Sequence, residues 1–131
     1  MKHFPAPPGF DPELAAEFLS RQASRRIGTD LVRETDTMLI WHLRPAPGER
    51  LGFYRHDRPC FWSIVGNGRA RSRYDDGRIA DRFYKAGDTQ HLPVLTPDTA
   101  FVHDIENIGD TEFLFVTVEF KMAEEAVISS R

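Results

Sequence analysis

The residues with the most chemical reach fall between positions 47 and 107. Tyr54 and His56 stand two apart, Cys60 follows, and His91 and His103 come later in the chain. An imidazole is a neutral metal ligand and a proton carrier near neutral pH. A phenol beside an imidazole in a dry pocket donates to a carbonyl or carboxylate oxygen and can exchange a proton with it. A thiolate suits a softer ion such as zinc. These residue types point to proton transfer, metal ligation or recognition of a small polar molecule.

Such side chains work only if the backbone aims them at one point. The pattern around them has a period of two. In residues 52–56, Tyr54 and His56 point one way and Phe53 and Arg55 the other. In residues 100–106, Phe101, His103 and Ile105 share a face, and in 37–43 Leu39, Trp41 and Leu43 do so. Residues 60–65 form a buried-looking run. Gly66-Asn67-Gly68 and Asp75-Asp76-Gly77 read as hairpin turns, the second joining strands 69–74 and 79–84. Residues 89–93 make a short strand, 94–99 a loop, and 112–121 a long final strand. Many short strands with frequent turns indicate an all-β sandwich or barrel.

Ahead of the strands lies a Pro-rich arm, then Asp11-Pro12-Glu13, a helix start with an N-cap oxygen and a proline at the first helical position. Leu14, Phe18 and Leu19 share a helical face, and Gly28 is the expected stop. The expected divisions are an arm and helix over 1–28, a β-barrel over 29–121 and a tail over 122–131.

A chain of 131 residues makes one domain. The net charge of −3 gives no basis for nucleic-acid binding. No apolar run approaches the roughly 20 residues needed to cross a bilayer. The first residues lack a signal-peptide core, and the one cysteine fits a reducing compartment. A cytoplasmic protein without a membrane partner is expected.

Several residues also have ordinary roles. Cys60 reads as a small buried hydrophobe, and Trp62 and Phe101 as core or pocket wall. Asn107 reads as a turn cap. The Arg69, Arg71, Arg73 row reads as a solvated outer face, and His3 and His42 as bystanders.

The motifs resemble those of the cupin superfamily, in particular the small bacterial single-domain cupins with a conserved barrel. Pro47-Gly48-Glu49 and the Gly66-Asn67-Gly68 turn sit where the first cupin motif needs them. Gly87-Asp88 with Pro93 matches the opening of the second, and His103 with Asn107 its close. The resemblance spans about residues 32–121 and implies a double-stranded β-helix, a jelly-roll-like barrel with a pocket at one mouth and here one N-terminal helix. It departs from the pattern at the metal. Tyr54 falls on the first motif histidine, and Cys60 or Phe61 on the glutamate. The Pro-x-Gly step after Pro93 is missing.

The resemblance therefore implies two surviving metal ligands, His56 and His103, with Tyr54, Cys60 or His91 as alternatives for a third. Either one divalent ion (iron, manganese, zinc or nickel) sits there, or the same residues bond a ligand directly. Tyr54 and His56 are the candidate catalytic pair, and Cys60, Trp62, His91 and Phe101 the candidate ligand contacts. The expected function is binding of a small polar or carboxylate metabolite, with isomerase, lyase or dioxygenase-type chemistry if the protein is an enzyme. The alternative is a non-catalytic sensory or ligand-binding cupin. Cupins commonly pair, so a homodimer is the expected partner arrangement.

Overall fold

The computed structural model describes residues 2–122. Its elements run α1 (Pro12–Arg21), β1 (Asp30–Glu34), β2 (Met38–Leu43), β3 (Arg50–His56), β4 (Cys60–Val65), β5 (Gly68–Arg73), β6 (Ile79–Tyr84), β7 (Thr89–Leu92), β8 (Phe101–Asn107) and β9 (Leu114–Phe120). The strands form two antiparallel sheets, in the orders β1-β2-β9-β4-β7 and β3-β8-β5-β6. The expected all-β architecture with one N-terminal helix is present. Apart from Met122, the expected tail lies outside the described residues.

Alternation builds the interior. On β2, Leu39, Trp41 and Leu43 are buried, while Met38, Ile40 and His42 are half-exposed. They meet Tyr54, Ile64, Ile105, Phe113 and Phe115 from the other strands in the main core. The turns that hold the strands in register use glycine where the backbone needs positive φ, as at Gly77, φ 86°, in the β5–β6 hairpin. Asn107 ties the end of β8 into the fold. Its amide donates to the Pro45 and Thr111 carbonyls, and its oxygen accepts from Gly109.

The arm and helix close the outer face of β3. Phe4, Ala6, Phe10, Leu14 and Phe18 pack on Phe53 and Val102 as a second, smaller core. Asp11 caps α1 by accepting from the Leu14 amide at 2.8 Å. Glu17 then grips Arg50 of β3 with two bonds of 2.7 Å, and Arg50 reaches on to buried Asp104 at 2.7 Å. Arg55, fully buried, donates to the backbone carbonyls of Gln22 and Lys2 and so holds both ends of this segment.

Gly28 is not the helix stop. The helix ends at Arg21 with Gln22 as its cap. A turn follows, in which the Ser24 amide donates to the Arg21 carbonyl, and the Ser24 carbonyl accepts from the Arg55 amide. Gly28 serves instead where two backbones meet. A Cβ there would lie 2.6 Å from the His42 carbonyl oxygen. Among the described residues no helix is long and apolar enough to cross a membrane.

Candidate functional site

Strands β3 and β8 are neighbours, and their register places Tyr54 opposite His103 and His56 opposite Phe101. Opposed residues of an antiparallel pair share a face. All four side chains therefore point into the barrel. The His56 and His103 Nε2 atoms lie 3.0 Å apart. Their rings stack with centroids 5.0 Å apart, and the Tyr54 ring lies 4.7 Å from His103 and 5.3 Å from His56. Phe101 packs against both imidazoles, 4.9 Å from His56 and 5.5 Å from His103, and Tyr74 stacks on His103.

These rings form one wall of a cavity of about 380 Å³. From the other sheet Trp62 and Phe115 reach the cavity, and Tyr84 of β6 packs edge to face on both. Ser72, Gln90 and Thr117 add neutral hydrogen-bonding groups, and Asp75, Asp76, Arg78 and Arg82 bring charge to the lining. The size and the aromatic side chains in the walls match a small-molecule site.

Burial sets the protonation states. It pushes the His56 imidazolium down to about 4, so the ring is neutral at physiological pH. His103 is also held well below the usual histidine range, first by burial, then by the adjacent His56 and by the Arg82 charge. The Tyr54 phenol is held well above 10, chiefly by burial and then by Asp104, and stays protonated. Two neutral imidazoles in contact share one N–H···N bond, with one ring donating and the other accepting. Both Nδ1 atoms are buried without a bonding partner, although the Asp104 backbone lies beside the His103 ring.

As a metal centre the donor set is short. Two converging imidazole nitrogens at this spacing suit two positions on one ion. Among the described residues no third His, Cys, Asp or Glu joins them. The buried phenol of Tyr54 is a poor phenolate donor. The His56 Nδ1 lacks the hydrogen-bond acceptor that usually orients a ligating histidine. The residues present do not complete the three-ligand set of a resident catalytic ion.

Two expected contacts do not join the cavity. Gln90 and Leu92 of β7 line it, so His91 between them faces outward and is exposed. Cys60 points inward but lies beyond the cavity, fully buried between Leu92 and Glu119 of the adjoining strands. Burial, with Glu119 nearby, pushes its thiol up to about 12. Glu119 itself is fully buried, accepting from the Trp41 indole at 2.9 Å and from Arg58 at 3.3 Å. Trp62 and Phe101 do line the cavity.

Solved structures share this architecture. A cupin domain from Bordetella pertussis Tohama I superposes with a TM-score of 0.61 at 22% identity, covering 77% of this chain and 98% of that one. The chain has the cupin fold. A Cupin 2 conserved barrel domain protein from Salinispora arenicola matches this cupin barrel with a TM-score of 0.51 at 23% identity, over 81% of this chain and 80% of that one. A cupin superfamily protein from Desulfitobacterium hafniense DCB-2 matches with a TM-score of 0.52 at 17% identity, over 92% and 100%. No protein-family model matches the sequence, and no curated protein matches it significantly.

In this cupin barrel the half of the site on β5 and β6 was hidden by a row of charge. Arg69, Arg71 and Arg73 do face outward, Arg71 onto Asp81 at 2.8 Å and Arg73 onto Asp104 and Glu106 at 2.9 and 3.0 Å. The alternate positions face in. Ser72 and Tyr74 line the cavity from this side, and Arg82 and Tyr84 from across the hairpin. Strand alternation was the signal that marked them.

Proposed function

We propose that this cupin binds a small polar metabolite in the barrel cavity by direct hydrogen bonds. Tyr54 donates to the ligand's oxygen atoms, and His56 or His103 turns its Nε2 from the partner ring to the ligand as it binds. The observation that carries this reading is the neutral imidazole pair, 3.0 Å apart, closing one wall of a 380 Å³ aromatic cavity. Neutral N–H and O–H donors suit carbonyl, hydroxyl and carboxylate oxygens. A resident metal ion is not part of this reading, because among the described residues the donor set stops at two imidazoles.

A second reading, favoured by the same contact, is proton-transfer catalysis of the isomerase or lyase type. The bond between the two Nε2 atoms holds a proton beside the Tyr54 ring, and a carbonyl compound bound there would meet a donor and an acceptor together. The roles are then ordinary ones. Tyr54 donates to the carbonyl oxygen, while the imidazole pair takes a proton at one ring and returns it from the other.

Titration of the purified protein with small carboxylic acids, phenols and hydroxy acids, alongside elemental analysis, tests the proposal. Ligand binding at less than one equivalent of metal is the expected result. Stoichiometric metal whose removal abolishes ligand binding would overturn it.

A further inference from the structure

Arg82 differs from the arginines around it. Arg71 is taken by Asp81, Arg73 by Asp104 and Glu106, and the Arg78 guanidinium lies 4.2 Å over the Tyr74 ring. Arg82 makes no ion pair among the described residues, and its one polar contact is the neutral phenol of Tyr84. It stands opposite Ala70 in the β5–β6 ladder, and both face the barrel interior. The small side chain of Ala70 leaves room for it.

Its position is a junction. Arg82 lines the main cavity and also a neighbouring groove of about 330 Å³, together with Trp62, Tyr84 and Gln90. That groove runs between β6 and β7, the last strands of the two sheets, neither of which has a further partner on that side. The barrel is thus slit along one side, with Arg82 at the slit. The Asp88 carboxylate also borders the groove, but it accepts from the Lys85 amide at 2.9 Å and lies outside ion-pair distance of Arg82.

Extending the proposal that the cavity binds a small molecule, we infer that its ligand is an aromatic carboxylate, with the acid on Arg82 at the slit and the far end at His56 and His103. The planar guanidinium fork fits the two oxygens of a carboxylate. Trp62 and Phe115 from one sheet, and Tyr54, Tyr84 and Phe101 from the other with Tyr74, give aromatic surface on both sides of a bound flat ring. The interior end holds neutral donors and acceptors, so it takes a hydroxyl or carbonyl and rejects a second charge.

The competing role for an inward-pointing arginine on an unpaired edge strand is to block sheet-to-sheet aggregation. A matched pair of probes separates the two. 4-Hydroxybenzoate and 4-hydroxybenzamide are titrated calorimetrically into the wild type, Arg82→Gln and His56→Ala. The expected result is that Arg82→Gln weakens the acid by about ten- to a hundredfold and leaves the amide within about twofold, while His56→Ala weakens both. Equal effects of Arg82→Gln on acid and amide, or no effect on either, would overturn the carboxylate assignment and leave the cavity reading standing. Failure of the wild type to bind either probe at millimolar concentration would overturn both.

Discussion

His56 on β3 and His103 on β8, 47 residues apart in sequence, meet Nε2 to Nε2 at 3.0 Å inside the barrel. Two imidazoles so placed cannot both carry a positive charge without strong repulsion. Burial already disfavours the charged form of each. The pair is therefore a neutral hydrogen-bonding unit at physiological pH, and the site's behaviour follows from that.

The first consequence concerns acid. Unfolded, His56 titrates near the ordinary value of about 6.5; folded, it is pushed down to about 4. Between these values the unfolded chain binds the proton and the folded chain does not. The stability from His56 is therefore complete above pH ~6.5 and is lost as pH falls towards ~4, on the order of 3 kcal/mol for this residue. Across that window wild type should lose about 3 kcal/mol relative to His56→Phe, read from the denaturant midpoints of the two. Parallel curves would show that His56 titrates normally in the folded protein.

Removing the polar groups should affect binding more than folding. Tyr54→Phe keeps the ring packing and deletes the hydroxyl. About a tenfold loss of ligand affinity is expected, with stability within about 1 kcal/mol of wild type. His56→Ala removes the N–H···N partner and opens space beside Phe101, so it should cost more in both respects. Calorimetric titration and chemical denaturation on the same samples check this, and wild-type affinity in both variants would rule out the pocket.

Cys60 should be inert. Its thiol is fully buried and pushed up to about 12, so thiolate is scarce and shielded. A disulfide reagent should modify native protein only at the rate of global or local opening, and fast stoichiometric labelling that slows with added ligand would place Cys60 in the site after all.

Gly28 carries a packing constraint. A methyl group there meets the His42 carbonyl at 2.6 Å, which is backbone and cannot swing aside. Gly28→Ala should destabilise by about 1–3 kcal/mol, read from the denaturation midpoint. If Gly28 merely ended a helix, the cost would be much smaller.

Arg55 should be the latch of the N-terminal arm. Its guanidinium donates to the Lys2 and Gln22 carbonyls. Arg55→Met should free the first ten residues to proteolysis while leaving the barrel folded, and limited digestion followed by mass spectrometry reads this directly.

The strands that carry the imidazole pair were legible because alternation is local. Tyr54 with His56, and Phe101 with His103, each follow from a period of two, and the hairpin at Gly77 fixes its own register. What was not legible depends on contacts distant in sequence. Whether β7 presents Gln90 or His91 inward depends on its pairing with β4, a one-residue choice that flips the face. Cys60 has the inward parity of Trp62 but lies beyond the cavity's end, a matter of depth that parity does not encode. Gly28 carries a glycine's ordinary end-of-helix signal, yet what it accommodates is β2. Arg82 drew no notice because the outward arginines of β5 dominate that stretch of sequence.

The central claim is that His56 and His103 are a neutral, hydrogen-bonded pair that meets the ligand. Long-range ¹H–¹⁵N correlation spectra of the imidazole nitrogens at neutral pH, with and without 4-hydroxybenzoate, test it most directly. The expected spectra show both rings neutral, with one protonated Nε2 facing one bare Nε2, and both signals shifting as the acid is added. An imidazolium at either residue, or ring signals untouched by a bound acid, would contradict it.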